Sequence, residues 1–378
     1  IRFTNQTNIL NKNNILNIGY KFFKGNTNRL QQGTGTKDEN YSLFIEKYYS
    51  KDFKLNTIVN AFYVENAFFI MPELKIVPGI RYENIHSGVS GYLNYHNGST
   101  VQLTRIRNVL LYGIGTEWKY LPQHSLILNY TRNFRPVLYA ELIPSATTDI
   151  IDPELKDISG GVSEITLIGK LFQGGIYYNL SAFYMEYKDK IGTIIKEGKN
   201  FRTNIGTAIN KGLEALIDIY LLKSLGIFTK NYDFNLYYSG ILQNFKYTEW
   251  NNPATIGTYQ DLKGKAVEYA PEYIHRTGVK FTSRFIDVSY QKQIYGDVFT
   301  DAMNTELPNT SATIGKIKGY SVDDINIALK AHRYFTLSFS LNNIFDVKYA
   351  TRRAGGYPGP GLIPGNGRNW LASISLNL

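Results

Sequence analysis

The last eleven residues, Arg368-Asn369-Trp370-Leu371-Ala372-Ser373-Ile374-Ser375-Leu376-Asn377-Leu378, alternate in character. In an extended strand Trp370, Ala372, Ile374, Leu376 and Leu378 share one face, and Leu371, Ser373, Ser375 and Asn377 share the other. A strand buried on both sides would be apolar throughout, and a loose tail would not alternate. The pattern asks for an apolar medium on one side and tolerates water on the other. It recurs upstream. Phe335, Leu337, Phe339 and Leu341 oppose Thr336, Ser338 and Ser340. Ile325, Ile327 and Leu329 oppose Asp324, Asn326 and Lys330, and Ile286, Val288 and Tyr290 oppose Asp287, Ser289 and Gln291.

Read this way, the chain is predicted to hold about fifteen strands. They fall near 1–10, 14–24, 56–70, 74–87, 104–118, 124–133, 161–171 and 174–188. The rest lie near 203–222, 232–247, 266–283, 286–298, 320–331, 335–346 and 368–378. Short connections, such as Met71-Pro72-Glu73 and Phe172-Gln173-Gly174, alternate with long ones at 25–55, 88–103, 134–160, 189–202, 248–265, 299–319 and 347–367. A soluble sandwich has water at both ends and no cause for such a rhythm. An outer-membrane barrel has one, with tight turns in the periplasm and long loops outside. The predicted fold is therefore all-β: a transmembrane antiparallel β-barrel with short periplasmic turns and long extracellular loops. From alternation alone, a soluble antiparallel sheet wet on one face is the other open reading.

Composition removes several alternatives. No run approaches the roughly 18 apolar residues of a spanning helix, which excludes a helical bundle in lipid but not a barrel. The 30 Tyr and 21 Phe suit a boundary between lipid and water. With no cysteine there are no disulfides, thiolate metal sites or Cys nucleophiles. The net charge of +10 fits an anionic lipid, an anionic ligand or nucleic acid. Lysines are spread without a basic stripe, so nucleic acid is not an expected partner. No nucleophile–base pair stands out, and no enzymatic activity is expected. The histidines His86, His96, His124, His275 and His332 lack metal-ligand spacing, so neither a metal site nor a resident cofactor is expected. The glycine-rich stretch 354–367 is followed by no Gly-Lys-Ser/Thr and reads as a loop of turns, not a phosphate cradle.

Four motifs carry a family resemblance. Phe134-Arg135-Pro136 is followed by Asp152-Pro153-Glu154-Leu155-Lys156 in one long predicted loop. Asn210-Lys211-Gly212-Leu213-Glu214 gives an x-x-G-x-E element, and Pro78-Gly79-Ile80-Arg81-Tyr82-Glu83 a P-G-x-R-Y-E element. Leu341-Asn342-Asn343-Ile344-Phe345-Asp346-Val347-Lys348-Tyr349 gives N-N-x-F-D-x-x-Y. Together they span about residues 74–378 and resemble TonB-dependent outer-membrane receptors, most closely those for ferric citrate (ferric dicitrate).

The resemblance implies an outer-membrane protein of a Gram-negative bacterium that binds a ferric chelate on its outer loops. Import would be driven by the TonB–ExbB–ExbD complex, acting through a plug domain and TonB box. Barrels of this kind have about 22 strands. Fifteen is odd and the chain opens on Ile1, so residues 1–378 are expected to be the C-terminal portion of the barrel, with the plug and first strands outside it. Iron chelate would be cargo, not cofactor. Lipid and lipopolysaccharide are the other expected partners. The alternatives are a passive porin or structural barrel, or a receptor of the same family for haem, cobalamin or an oligosaccharide. No His lies between Val137 and Ile151, where haem receptors of the family place one.

For an anionic chelate the cationic candidates are Arg29, Arg105, Arg107, Arg202, Arg352, Arg353 and Arg368, since guanidinium groups match carboxylates in pairs. Gln31, Gln32, Tyr139, Trp250 and Tyr357 add hydrogen bonds and flat surface. Arg135 is expected to pair with acids of its own loop, and Arg81 to face a polar interior.

Overall fold

The computed structural model describes residues 1–9, 12–31, 34–35, 45–47, 49–94, 99–144, 150–196, 199–229, 231–250, 262–332, 334–354 and 360–376. Gln32 and Tyr357 lie outside these. In chain order the elements begin β1 (Arg2–Ile9), β2 (Lys12–Gln31), β3 (Thr34–Gly35), β4 (Ile45–Lys47), β5 (Lys51–Met71) and β6 (Leu74–Asn94). Then come β7 (Ser99–Leu121), β8 (His124–Arg135), the short helix α1 (Tyr139–Leu142), β9 (Ile150–Ile151) and β10 (Ile158–Leu171). A 3₁₀ turn (Phe172–Gly174) leads to β11 (Ile176–Lys196), β12 (Lys199–Tyr220), α2 (Leu221–Ser224) and β13 (Tyr232–Trp250). The last elements are β14 (Tyr273–Ser283), β15 (Ile286–Tyr295), β16 (Tyr320–His332), β17 (Phe335–Asn342), β18 (Ala350–Ala354), β19 (Gly361–Pro364) and β20 (Asn369–Leu376).

Fifteen strands form one antiparallel meander in the order β1-β2-β5-β6-β7-β8-β10-β11-β12-β13-β14-β15-β16-β17-β20, and β9 pairs with β12 in parallel. β3–β4 and β18–β19 are separate small hairpins in the outer loops. The fifteen predicted strands are thus present, each beside its sequence neighbour.

Register decides which face meets lipid. Side chains directly across the ladder share a face, and Trp370, Leu341, Ile325, Tyr290, Val279 and Leu236 fall in one row. On the other half of the wall Leu213, Ala182, Ile165 and Leu128 form a similar row. Aromatic groups fringe this apolar band. On the turn side Trp118, Tyr120, His124 and Tyr178 are successive neighbours at 5.9–6.0 Å. On the loop side His275 lies between Tyr273 and Tyr238. Along β14, Phe281 and Tyr273 stand eight residues apart, roughly 26 Å of strand and about 20 Å of height at the usual tilt. That matches a hydrocarbon band with an aromatic girdle at each edge. The opposite face carries Glu65, Asn129, Glu164, Thr166, Ser181, Glu214 and Asn326, a polar lumen.

Two predicted outer loops are strand instead. Residues 88–94 and 99–103 continue the β6–β7 ladder, and 189–196 with 199–202 continue β11–β12, so the strict alternation of short and long connections fails there. Above the membrane the outer face meets water, and the inner face is covered only in places, at Val89, Leu93 and Ile191, by the segment folded into the mouth. The ladder then persists on backbone hydrogen bonds without the hydrophobic alternation by which strands were recognised. The reverse holds for 266–272, predicted as strand: β14 begins only at Tyr273, after Pro271, which has no N–H to give a ladder.

Candidate functional site

The outer mouth is built from segments that fold onto the inner wall. Residues 136–144 and 150–157 do not stand out from the barrel. Leu142, Ile143 and Leu155 pack with Val137 against Phe53, Leu55, Val89 and Leu93 of the β5 and β6 walls. The first motif explains why. Arg135 donates two hydrogen bonds to Glu141, at 3.0 and 2.9 Å, and Glu141 also accepts the Leu138 N–H, closing the first turn of α1. The pairing expected for Arg135 is therefore present.

The second motif is held from two sides. From β12, Asn204 accepts the Lys156 N–H at 2.7 Å and donates to the Lys156 carbonyl, while Thr203 donates to Asp152. Asp152 itself caps the Glu154 N–H, and its own N–H is donated to the Arg202 carbonyl. From β7, Arg105 donates to the Leu155 carbonyl and Arg107 Nε meets both oxygens of Asp157 at 2.9 and 2.7 Å. Asp157 also accepts the Val137 N–H at 2.7 Å. Arg107 Nη1 donates to Ser87, and Nη2 has no acceptor among the described residues.

The other motifs have equally local causes. At Gly212 a β-carbon would come within 2.7 Å of Phe183 Cζ and 2.3 Å of the Leu242 carbonyl oxygen, so only glycine lets that ring lie across the strand. Glu214, two residues on, faces the lumen beside Ser181. Asn343 folds the end of β17 into a turn: its side chain accepts the Val347 N–H and donates to the carbonyls of Val347 and Asn366. Asp346 then accepts the Arg368 N–H, and Tyr349 stacks on Tyr320 at 4.3 Å, which stacks on Tyr295 at 4.8 Å. Arg81 pairs with Glu83 and lies over Tyr63, on the lumen face as expected.

Two further outer segments are tied together. Arg353 donates to the carbonyls of Gly315, Ala312 and Lys316, joining β18 to the 296–319 connection. Lys316 pairs with Asp297 at 3.1 Å, and the Gly319 N–H and this ammonium hold the Asp297 carboxyl below its usual range. Alanine at Arg353 removes all three bonds. Limited proteolysis should then cut faster within 305–314, and Arg353→Lys should rescue only part of the protection, because an ammonium lacks the planar fork.

A second cluster joins β11, β13 and the 262–272 connection. Lys190 donates to the Tyr247 hydroxyl at 2.7 Å, that hydroxyl donates to Glu268 at 2.8 Å, and Lys190 pairs with Glu268. Burial, followed by the Glu268 carboxylate, pushes the Tyr247 hydroxyl well above the ordinary tyrosine range. A tyrosine raised in the fold contributes stability that is full below its unfolded pKa of about 10 and is lost as pH climbs above it. Denaturant midpoints measured between pH 9 and 11 should fall in the native protein, and the Tyr247→Phe variant should lack that component.

Of the predicted ligand residues, Arg105, Arg107, Arg202 and Arg353 therefore bind the protein itself; Arg202 donates to the Ala140 carbonyl at 2.8 Å. Tyr139 donates to the Asn56 carbonyl and meets Thr57. Trp250 packs edge-on to Tyr247, with its indole N–H unpartnered among the described residues. Arg29 and Gln31 lie on the lumen-side register of β2, opposite Phe53 and Lys51, at the top of the wall. Arg352 and Arg368 are exposed in the last outer segment. Missed from sequence were Asp157, Leu155, Glu268 and the Tyr295–Tyr320–Tyr349 stack. Leu155 and Tyr349 stood within the D-P-x-L-K and N-N-x-F-D-x-x-Y elements, which marked their positions but not their contacts, and Asp157, Glu268, Tyr295 and Tyr320 carried no local signal.

Lower in the lumen the wall is concave and charged. One hollow of about 900 Å³ is lined by Glu65, Lys75, Arg81, Glu117 and Asn129, and its neighbour by Glu164, Ser181, Glu214 and Arg276. Among the described residues no group of three or more His, Asp or Glu side chains is placed to hold a metal ion.

The sequence profile described as TonB dependent receptor-like, β-barrel, matches residues 2–344. The chain belongs to the TonB-dependent receptor β-barrel family. It is an outer-membrane protein. Among solved structures, this TonB-dependent barrel is similar to the ferric citrate transporter FecA in its unliganded form, with a TM-score of 0.79 and 17% identity over 99% of this chain and 53% of that one. It is similar to the closed form of the ferric-catecholate import receptor Fiu from K12 E. coli, at 0.74 and 14%, over 99% and 53%. A third is the siderophore receptor PiuA from Acinetobacter baumannii, at 0.73 and 13%, over 99% and 54%. At these identities the likeness is one of fold. The chain spans about half the length of the receptors it matches. No curated protein matches it by sequence.

Proposed function

We propose that the complete protein is a receptor–transporter for a ferric chelate, with ferric citrate the first cargo to test, and not an enzyme. The observation that carries this reading is the likeness, over 99% of the chain, to barrels that import ferric citrate and ferric catecholates. The chain contributes the later strands of the barrel wall. A plug domain N-terminal to it closes the lumen and takes energy from TonB–ExbB–ExbD. Among the predicted contact residues, Arg29 and Gln31 at the top of the inner wall and the exposed Arg352 and Arg368 are the groups left for cargo, with Gln32 and Tyr357 beside them in sequence. The remaining arginines shape the mouth.

The test is uptake of radiolabelled iron by cells lacking their own ferric citrate receptor and expressing the complete protein. Ferric citrate should enter only while the inner membrane is energised. Uptake that persists with a protonophore means a passive pore, and uptake of a catecholate chelate in place of citrate moves the specificity but keeps the transporter.

A further inference from the structure

Above the charged hollows, at the outer mouth, the inner wall holds an apolar slot of about 260 Å³. Ile274, Val298 and Ile317 line it together with the rings of Tyr269, Tyr295 and Tyr320. Ile274 also lines the hollow that holds Glu164, Glu214 and Arg276, so the slot opens on the lumen side of the wall. Val298 and Ile317 exchange backbone hydrogen bonds at 3.0 and 2.8 Å, which braces the 296–319 connection beneath it. Tyr295 and Tyr320 stack on each other at 4.8 Å and add two aromatic side chains to the wall.

Tyr269 is held there in a backbone conformation that few tyrosines adopt, with φ at 57°. Its N–H donates to the Phe299 carbonyl at 2.8 Å, and its hydroxyl accepts the Arg353 N–H at 3.4 Å. A strained residue fixed from two segments is a mark of a side chain whose position is used. Lys318 lines the slot and is exposed. The acid that interacts with it, Asp297, already pairs with Lys316 at 3.1 Å and accepts the Gly319 N–H. The slot therefore joins apolar and aromatic walls to a cation.

Citrate has no part that fits such a space. Its surface is carboxylate and hydroxyl, and an apolar slot would strip their water without replacing it. An aryl ring gains there, because it buries its faces against carbon and meets other rings.

We propose that this slot takes one aryl arm of a ferric chelate whose iron-binding oxygens stand on aromatic rings. The ring lies against Tyr269, Tyr295 and Tyr320, and the anionic iron centre stays at the opening with Lys318. This rests on the reading of the complete protein as a ferric-chelate receptor, and it narrows the cargo to chelates with aromatic arms.

Calorimetric titration of the complete receptor in detergent compares two probes, ferric citrate and the ferric complex of dihydroxybenzoylserine. The aryl chelate should bind about tenfold more tightly, the worth of one buried ring. Tyr269→Gly removes a ring at a backbone conformation that glycine adopts freely, so the turn keeps its shape. Thr351→Trp fills the slot from an exposed position on its lining. In each variant the ratio of the two dissociation constants should fall about tenfold. Equal or reversed affinities in the native receptor overturn the proposal and leave the transport reading standing; a plug side chain already seated in the slot would give that result. A ratio that both variants leave unchanged overturns it in the same way. Binding of neither chelate overturns the transport reading and this proposal together.

Discussion

Replacing Arg107 by alanine should destabilise the barrel by about 3–5 kcal/mol, the cost of stranding one member of a buried ion pair. The side chains of Arg107 and Asp157 are only 6% and 17% exposed. With Arg107 gone, Asp157 keeps the Val137 N–H but faces no positive charge through Nε, and Ser87 loses its donor. The effect reaches beyond one bond. Asp157 closes the folded-in segment whose Leu155, Leu142 and Ile143 form the small core of the mouth. Unfolding in urea from detergent micelles measures the loss. Arg107→Met combined with Asp157→Asn supplies the discriminating control: the amide oxygen still accepts from Val137, no charge is left buried, and all but about 1–2 kcal/mol should return. A loss below about 1 kcal/mol in the alanine variant would mean the pair is solvated in the working protein and does not clamp the segment.

That clamp also marks where sequence reading runs out. The wall was legible because lipid on one side imposes a period of two. Phe335, Leu337 and Phe339 announce their face without any knowledge of their neighbours, and the row through Ile327 and Val288 then follows from register. The same rule misread 88–103 and 189–202, where water replaces lipid outside and only isolated residues such as Val89, Leu93 and Ile191 are covered within, too few to alternate. The mouth was legible as motifs but not as roles. Arg105 and Arg107 looked like outer-loop cations suited to an anionic cargo. What settles their partner is that residues fifty positions away fold inward, bringing Leu155 and Asp157 onto β7. No local pattern encodes that meeting. Arg353 is similar: its guanidinium is spent on three backbone carbonyls, and carbonyls leave no trace in a sequence. Arg135 was legible because its acid, Glu141, lies within one turn of the same segment.

The reading of which face meets lipid has its own large consequence. Ile165 sits in the middle of the apolar band, between Leu128 and Ala182 in register, and Ser181 faces the lumen across from Thr166 and beside Glu164 and Glu214. Arginine at Ile165 places a guanidinium in hydrocarbon, where burial of the charge should cost about 2–4 kcal/mol near the midplane. Arginine at Ser181 enters a polar hollow with two carboxylates, where the same side chain should change stability by under about 1 kcal/mol in either direction. The two positions are near neighbours on one wall, so strand propensity, local packing and side-chain size are closely matched and the medium is the main difference. Reversible unfolding into urea in lipid vesicles separates them. Equal losses would mean that both faces meet the same medium, and the apolar band would then be a buried protein face, not a membrane surface. A larger loss at Ser181 would turn the wall inside out, and with it the assignment of Glu164 and Glu214 to the lumen.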